Sequence, residues 1–257
     1  MKKRFIGIVL AGALLAFGPS LSAQETAVET PGRTGFFLQA QGGLSFFLKN
    51  TLDVQREFNL YGETGSLAES YTFGPAVPID VSVGRYFRLG GGRLKAGLGF
   101  GNLFRKDTGN FTSVIPHPFL FNAPRTVAFA ADSVPNKSMS FYAYGLFSLV
   151  DNATVGLWLG PIIGLGLEKI NTLNDFAVNE KAPYAAADVT ISDLAYTEDS
   201  FASLWYGACL EFEYALSETF GLVVSGRLIY DNPQISNVGH RANFLQLQAA
   251  LGFRVII

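Results

Sequence analysis

The sequence predicts an all-β fold, an eight-stranded antiparallel transmembrane β-barrel with long extracellular loops, and three observations predict it. Hydrophobic residues make up 49% of the chain and mean hydropathy is +0.25, yet beyond residue 23 no uninterrupted apolar run reaches the roughly 18–20 residues of a spanning helix. Apolar and polar residues instead alternate with period two, in segments of about ten to fifteen residues. The links between these segments are short and long in turn, the rhythm of a barrel with tight turns at one end and large loops at the other. In hydrocarbon only helices and closed sheets satisfy their own backbone hydrogen bonds, so a membrane chain without spanning helices has to close.

The N-terminus is set apart. Met1-Lys2-Lys3-Arg4 is a basic stub, Phe5 to Phe17 is an apolar run, and Leu21-Ser22-Ala23 precedes an expected cut before Gln24, the three parts of an export signal. Residues 1–23 are therefore read as a signal peptide, 24–34 as a short lead and 35–257 as the barrel. Taking Lys2, Lys3 and Arg4 from the 19 basic residues leaves 16 against 21 acidic ones, a net charge of −5, which argues against nucleic acid as a partner. Cys209 is the single cysteine, so no intramolecular disulfide forms and no cysteine follows the signal to carry a lipid anchor.

The first barrel strand, Gly35–Leu48, turns Phe36, Leu38, Ala40, Leu44, Phe46 and Leu48 to one face and Gln39, Gln41, Gly43 and Ser45 to the other. The second, Val77–Arg88, sets Val77, Ile79, Val81 and Val83 against Asp80, Ser82 and Gly84. The third, Leu94–Phe104, sets Leu94, Ala96, Leu98 and Phe100 against Lys95, Gly97 and Gly99. In the fourth, Ser138–Val150, Tyr142, Tyr144 and Leu146 compete with Phe141, Ala143 and Phe147 for the lipid face, and its register stays open. The fifth, Thr154–Glu168, has Val155, Leu157, Leu159, Ile163, Leu165 and Leu167 outward, with a bulge expected at Pro161, because proline removes a ladder hydrogen bond. The sixth, Phe201–Ala215, leaves Trp205, Gly207, Cys209, Glu211 and Glu213 inside. The seventh, Ser217–Asp231, leaves Ser225 and Arg227 inside. The last, Phe244–Ile257, is the clearest: Leu245, Leu247, Ala249, Leu251, Phe253, Val255 and Ile257 face lipid, and Gln246, Gln248 and Arg254 lie on the inner face. Closure pairs the first strand with the last, so Gln39, Gln41, Gln246 and Gln248 are expected on one wall.

The connections Lys49–Ala76, Arg105–Lys137, Lys169–Ser200 and Asn232–Asn243 are long, whereas Leu89–Arg93, Asp151–Ala153 and the link at Leu216 are short. Gly90-Gly91-Gly92 and Asp151-Asn152 are turn formers. Aromatic girdles are expected from Phe36, Phe87, Tyr214, Phe220 and Phe253 at one rim and Phe46, Phe104, Phe201, Tyr230 and Phe244 at the other.

This pattern resembles the small outer-membrane barrel families of the OmpA-transmembrane, OmpX and OmpW type. The terminal strand, with Gly252, Val255 and Ile257, is similar to the signal read by barrel assembly machinery, although that signal ends in an aromatic residue and this chain ends in isoleucine. The resemblance implies residence in the outer membrane, with outer-membrane lipid and the assembly machinery as partners, and it transfers no functional residue. The final residues are those of the eighth strand, so no periplasmic domain is expected after it.

Side chains nearly fill an eight-stranded interior, and Trp158, Trp205 and Phe47 point into this one. Asp80, Lys95, Glu211, Glu213, Arg227 and Arg254 share that space and must pair or stay hydrated. With the four glutamines they are expected to form a structural network, a narrow ion path being the functional alternative. No catalytic residue, metal site or cofactor is expected. His117, between two prolines, and His240, with Ser236 and Asp231 nearby in sequence, match no hydrolase motif. Asp107-Thr108-Gly109 occurs once, whereas aspartic-protease chemistry needs two carboxylates. The third loop carries Asp175, Glu180, Asp188, Asp193, Glu198 and Asp199. The second exposes Val114-Ile115-Pro116, Phe119-Leu120-Phe121 and Val127-Ala128-Phe129 unless its strands extend above the membrane. These loops are where an extracellular ligand is expected. The leading expectation is a non-enzymatic envelope protein that acts through its loops; a narrow channel or an OmpW-like conduit for small ions or hydrophobic molecules is the alternative.

Overall fold

A computed structural model of the chain describes residues 33–48, 50–90, 92–232, 234–235, 240–241 and 243–257. The signal segment and most of the lead, residues 1–32, lie outside them. Among the described residues twelve strands follow one another: β1 (Gly35–Phe47), β2 (Thr51–Leu60), β3 (Glu63–Thr72), β4 (Ala76–Leu89), β5 (Gly92–Ile115), β6 (Arg125–Asp151), β7 (Val155–Glu180), β8 (Val189–Ala215), β9 (Phe220–Asp231), the two-residue β10 (Gln234–Ile235) and β11 (His240–Arg241), and β12 (Phe244–Ile256). Eight of them, β1, β4 to β9 and β12, form a closed antiparallel ring, because β5 pairs with β6 as well as with β4. The seam joins β1 to β12 over eleven residue pairs, from Phe37↔Ile256 to Phe47↔Gln246.

The alternation read from the sequence is the alternation of the wall. Leu38, Leu44, Val81, Leu210, Leu251 and Phe253 stand exposed on the outside, and Gln39, Gln41, Asp80, Lys95, Glu211 and Arg254 are buried inside. From Phe36 to Phe46 ten residue steps at about 3.3 Å cover roughly 33 Å, which on a strand tilted about 40° gives an apolar band near 25 Å tall. Phe36, Tyr214, Phe220 and Phe253 edge this band at the turn end, where the Arg85 guanidinium lies over the rings of Phe36 and Phe87 at 5.0 and 5.5 Å.

Two expectations need correction, the bulge at Pro161 and the far-rim girdle, and the register of β6, left open by the sequence, is fixed by the structure. β6 puts Tyr142, Tyr144 and Leu146 inside and Phe141 and Phe147 outside. Both faces are apolar, so period-two contrast is silent there. Pro161 causes no bulge: it faces Ala208 on β8, and the β6–β7 register is the same on either side of it. The irregularity falls instead between Ser148 and Val150, leaving both Leu149 and Val150 exposed. At the far rim Phe46, Phe104 and Tyr206 face out, but Phe244 is buried in the interior and Phe201 packs partly against it. The glutamines of the seam do share a wall but not a level, since Gln39 faces Arg254 and Gln41 faces Gly252, whereas Gln248 faces Ser45 and Gln246 faces Phe47.

The largest difference concerns the long connections, which are mostly strand. β5 and β6 continue as a ladder to Ile115↔Arg125, and β7 and β8 to Glu180↔Val189. The first connection is the hairpin β2–β3, whose second strand takes over from β4 as the neighbour of β5, from Thr72↔Thr108 to Ser66↔Val114. Beyond the band, β2, β3, β5, β6, β7 and β8 thus form a curved platform standing on the barrel. The platform encloses its own apolar core of Leu52, Val54, Leu67, Tyr71, Phe111, Ile170 and Leu173, with Phe73 and Phe244 at its base. Sequence alternation inside the platform is as regular as in the wall, but short apolar residues mixed with Ser, Thr and Asp read as polar loop when the membrane is the expected reference.

Candidate functional site

The interior divides by chemistry. β6 and β7 contribute an aromatic and aliphatic wall of Tyr142, Tyr144, Leu146, Trp158 and Ile162, joined by Phe37, Tyr86 and Trp205. Large rings fit there because facing positions are glycine: a Cβ on Gly99 would collide with the ring of Tyr142, and one on Gly164 with that of Trp205. The opposite wall is polar and falls into three tiers.

At the turn end Lys95, fully buried on β5, is bonded to Glu211 and lies 2.7 Å from Glu213 Oε1 and 2.7 Å from Gln39 Oε1. Glu213 also accepts from Tyr86 (2.7 Å) and Arg254 (2.7 Å), and Arg33 Nε lies 3.0 Å from its Oε2 as an ion pair. Arg33 in turn holds Asp151 at 2.6 Å, which Arg93 meets at 2.8 Å. In the middle tier Arg227 pairs with Asp80 at 3.0 Å and donates to Gln41 Oε1 at 3.1 Å and the Tyr142 hydroxyl at 3.3 Å; Ser225 donates to the same Gln41 oxygen. In the upper tier Arg105 Nε meets Asp107 at 2.9 Å and its Nη1 lies 4.0 Å from Glu168, while Asn136 donates to Asp107 at 2.5 Å and Ser203 to Asp231 at 3.0 Å. Gln246 donates to Ser45 at 2.5 Å; Gln248 is buried beside the same space.

Between the middle and upper tiers lies a polar cavity of about 50 Å³, bordered by Asp80, Arg105, Glu168, Arg227 and Asp231. It has room for a few water molecules at about 10–15 Å³ each. Arg105 Nη2, Arg227 Nε and Asp231 Oδ1 have no protein partner, which is the polar lining such waters need. Above it the Arg105 guanidinium lies under Phe73 at 4.6 Å and Phe47 at 5.2 Å, and Phe47, Phe73 and Phe244 pack edge to face as a lid. The apolar core of the platform closes the space over them. Below, the Arg33 cluster fills the turn end.

All ten residues expected in a lumen network are buried in the interior, but they do not form one chain of contacts: Lys95, Glu211, Glu213, Gln39 and Arg254 belong to the lowest tier, Asp80, Arg227 and Gln41 to the middle one. Sequence reasoning missed Arg33, assigned to the lead, and Arg105, Asp107 and Glu168, assigned to loop or strand end. Asp107, first residue of the Asp-Thr-Gly triplet, sits at a register shift, accepting also from the backbone N–H of Gly74 at 3.1 Å. The signal for it was available, since Arg105 and Asp107 continue the inward phase of Lys95. Cys209 is buried in the wall as expected.

In the platform Arg56 and Tyr71 both bond to Glu69, and Arg56 also to the carbonyl of Leu173; the Tyr71 hydroxyl accepts from Leu173 N at 2.7 Å. Burial, followed by the Glu69 hydrogen bond, pushes the Tyr71 hydroxyl well above the ordinary tyrosine range. At the tips Arg125 donates to Glu180 (2.7 Å), to Pro116 O (2.5 Å) and to Tyr184 O (3.3 Å), tying the β5–β6 tip to the β7–β8 tip. Of the acidic third-loop set, Glu180 is therefore paired, Glu198 bonds Lys169, and Asp188 accepts from Ala185 N. Ile115 is fully buried and Phe129 stacks on Phe111, while Phe119, Leu120 and Phe121 are 70%, 58% and 80% exposed at the tip. The His117 ring nitrogen accepts from the N–H groups of Phe119 and Leu120 at 3.1 Å each. Ser236 and the His240 side chain lie outside the described residues. Among the described residues no group of acidic, His and Cys side chains has the makings of a metal site.

A closed ring of eight antiparallel strands, apolar outside over one band and polar inside, with termini and tight turns at one end, is the fold of a small outer-membrane β-barrel. Solved structures similar to it include Neisserial surface protein A (13% identity, TM-score 0.47, covering 87% of this chain and 97% of that one). The attachment invasion locus protein Ail of Yersinia pestis, solved with the heparin analogue sucrose octasulfate, is 12% identical with TM-score 0.37, covering 86% and 99%. The outer-membrane protease OmpT of Escherichia coli is 8% identical with TM-score 0.41, covering 90% and 99%. No family model and no curated protein sequence matches the chain.

Proposed function

We propose that the protein is a non-enzymatic, non-conducting anchor in the outer membrane that holds a rigid β-platform outside the cell for contact with an extracellular partner. The observation that carries this reading is the double seal: a lumen filled with paired charges and aromatic rings is covered by a platform with a hydrophobic core of its own. A conduit needs a continuous wet path, whereas the polar cavity between the middle and upper tiers has room for a few waters. The exterior band supports membrane residence, and the exposed Phe119-Leu120-Phe121 tip supports contact with a partner, because clustered exposed apolar groups on an otherwise polar surface mark interaction sites. Catalysis finds no support in the Asp-Thr-Gly triplet, whose aspartate is occupied by Arg105 and Asn136.

Two measurements test the proposal. Refolded protein in a planar bilayer should give no reproducible conductance steps; steps altered by Arg227→Ala or Glu211→Ala would establish the conduit reading in its place. Cells displaying the chain should adhere to an epithelial monolayer severalfold less when Phe119, Leu120 and Phe121 are all replaced by serine, and unchanged adhesion would remove the tip from the proposal.

A further inference from the structure

Just beyond the apolar band, on the outer face of three neighbouring strands, the basic side chains gather. Lys137 on β6 is the cross-strand partner of Lys169 on β7 and of Phe104 on β5, and Lys106 lies two residues beyond Phe104 on the same face. Directly paired positions have Cβ atoms about 5 Å apart and diagonal ones about 7–8 Å, so three ammonium groups share one small patch. Like charges facing each other across a ladder are destabilising, and among the described side chains the carboxylate beside them is Glu198, which accepts from Lys169. Its hydrogen bond from Lys169, with Lys137 adding, holds that carboxyl below the usual range, and the described side chains Lys106, Lys137, Lys169 and Glu198 sum to a net charge of about +2. Among the described residues Lys106, Lys137 and Lys169 are the basic side chains accessible on the outer face of β5 to β7 beyond the band.

The position of the patch selects its occupant. Phe104, Val77 and Pro75 form the apolar floor of an open groove whose rim carries the three lysines. Two residues toward the barrel on the same faces, Met139 and Leu167 belong to the exposed apolar band. A molecule lying here has hydrocarbon on one side and ammonium groups on the other. A free anion would use the lysines and leave the floor bare; a lipid tail alone would leave the charges unanswered.

We infer that Lys106, Lys137 and Lys169 bind the phosphate of a membrane lipid whose acyl chain lies along Phe104 and Val77. The inference rests on the membrane reading above, since the groove meets lipid only if the band is in the bilayer. A phosphate monoester, with close to two negative charges, matches the patch better than a zwitterionic headgroup.

Native mass spectrometry of the detergent-refolded protein, offered phosphatidic acid and phosphatidylcholine of equal chain length, tests it. The wild type is expected to retain phosphatidic acid with roughly thirtyfold preference, two net charges near a surface being worth about fivefold each. K106Q/K137Q/K169Q should bring the preference to within about twofold, the triple arginine variant should keep it, and Lys137→Gln alone, carried in case the triple variant does not fold, should lower it about fivefold. Undiminished preference in the glutamine variants overturns the inference. Millimolar inorganic phosphate should leave retention unchanged; if it displaces the lipid completely, the site is an anion site and the lipid is not its occupant. Insertion is read separately, by the heat-dependent gel shift after refolding into phosphatidylcholine vesicles. A chain that folds in detergent but never enters vesicles overturns the membrane reading whatever the lysines do.

Discussion

Lys95 has no exposed surface and two glutamates within its reach, so its energetics follow the logic of buried ion pairs rather than surface ones. Removing one partner leaves uncompensated charge in a dry interior, at a cost of about 3–5 kcal/mol. Lys95→Met should therefore lower the urea midpoint of the refolded barrel sharply, and adding Glu211→Gln should recover part of the loss. If the single variant unfolds like the wild type, the lowest tier is wetter than its geometry indicates. Tyr71 makes a prediction of the opposite kind, because its folded-state ionisation is raised above the ordinary value of 10.0. Above that value the unfolded chain releases a proton that the folded one retains, so platform stability falls as pH rises through and beyond about 10. Limited proteolysis at pH 9 and pH 11 should show the platform opening at the higher value, and Tyr71→Phe should flatten that part of the dependence.

Elements written in strong contrast were legible from the sequence. β1, β4, the first half of β5, β8, β9 and β12 alternate apolar with polar residues, and their faces, their pairing at the seam and the burial of Lys95, Glu211 and Arg254 follow from that contrast alone. β6 was not legible, because Tyr142 and Phe141 carry the same hydropathy to opposite sides, and only the glycines opposite the inward rings distinguish them. Gly99→Ala places a methyl group where the Tyr142 ring lies and should cost about 1–3 kcal/mol as overpacking, measured by the same urea midpoint. Platform strands were hidden for another reason. Their burial comes from one another and from β2–β3, a hairpin whose partner on β5 lies some forty residues later, so no local window shows it. Deleting residues 51–72 should expose Leu173, Ile170 and Phe111, making the tips of β5–β8 protease-sensitive while the heat-modifiable shift of the barrel persists. Arg125→Ala should produce a milder form of the same sensitivity confined to the two tips it joins.

At the scale of the whole molecule, barrel and platform have separate cores that meet at the Phe47, Phe73 and Phe244 lid. The barrel closes only where β1 meets β12, between residue 37 and residue 256. That seam has a consequence for the order in which the protein is made. Hairpins such as β2–β3, β5–β6 and β7–β8 join residues close in the chain, but the ring is complete only when residue 37 meets residue 256, and contacts between distant residues form slowly. Until then β1 waits with one open edge, exposed to strand pairing by any neighbour. The last strand is thus less one-eighth of a wall than the clasp that ends a vulnerable interval. A chain shortened before Phe244 should accumulate as an aggregate rather than as a seven-stranded barrel.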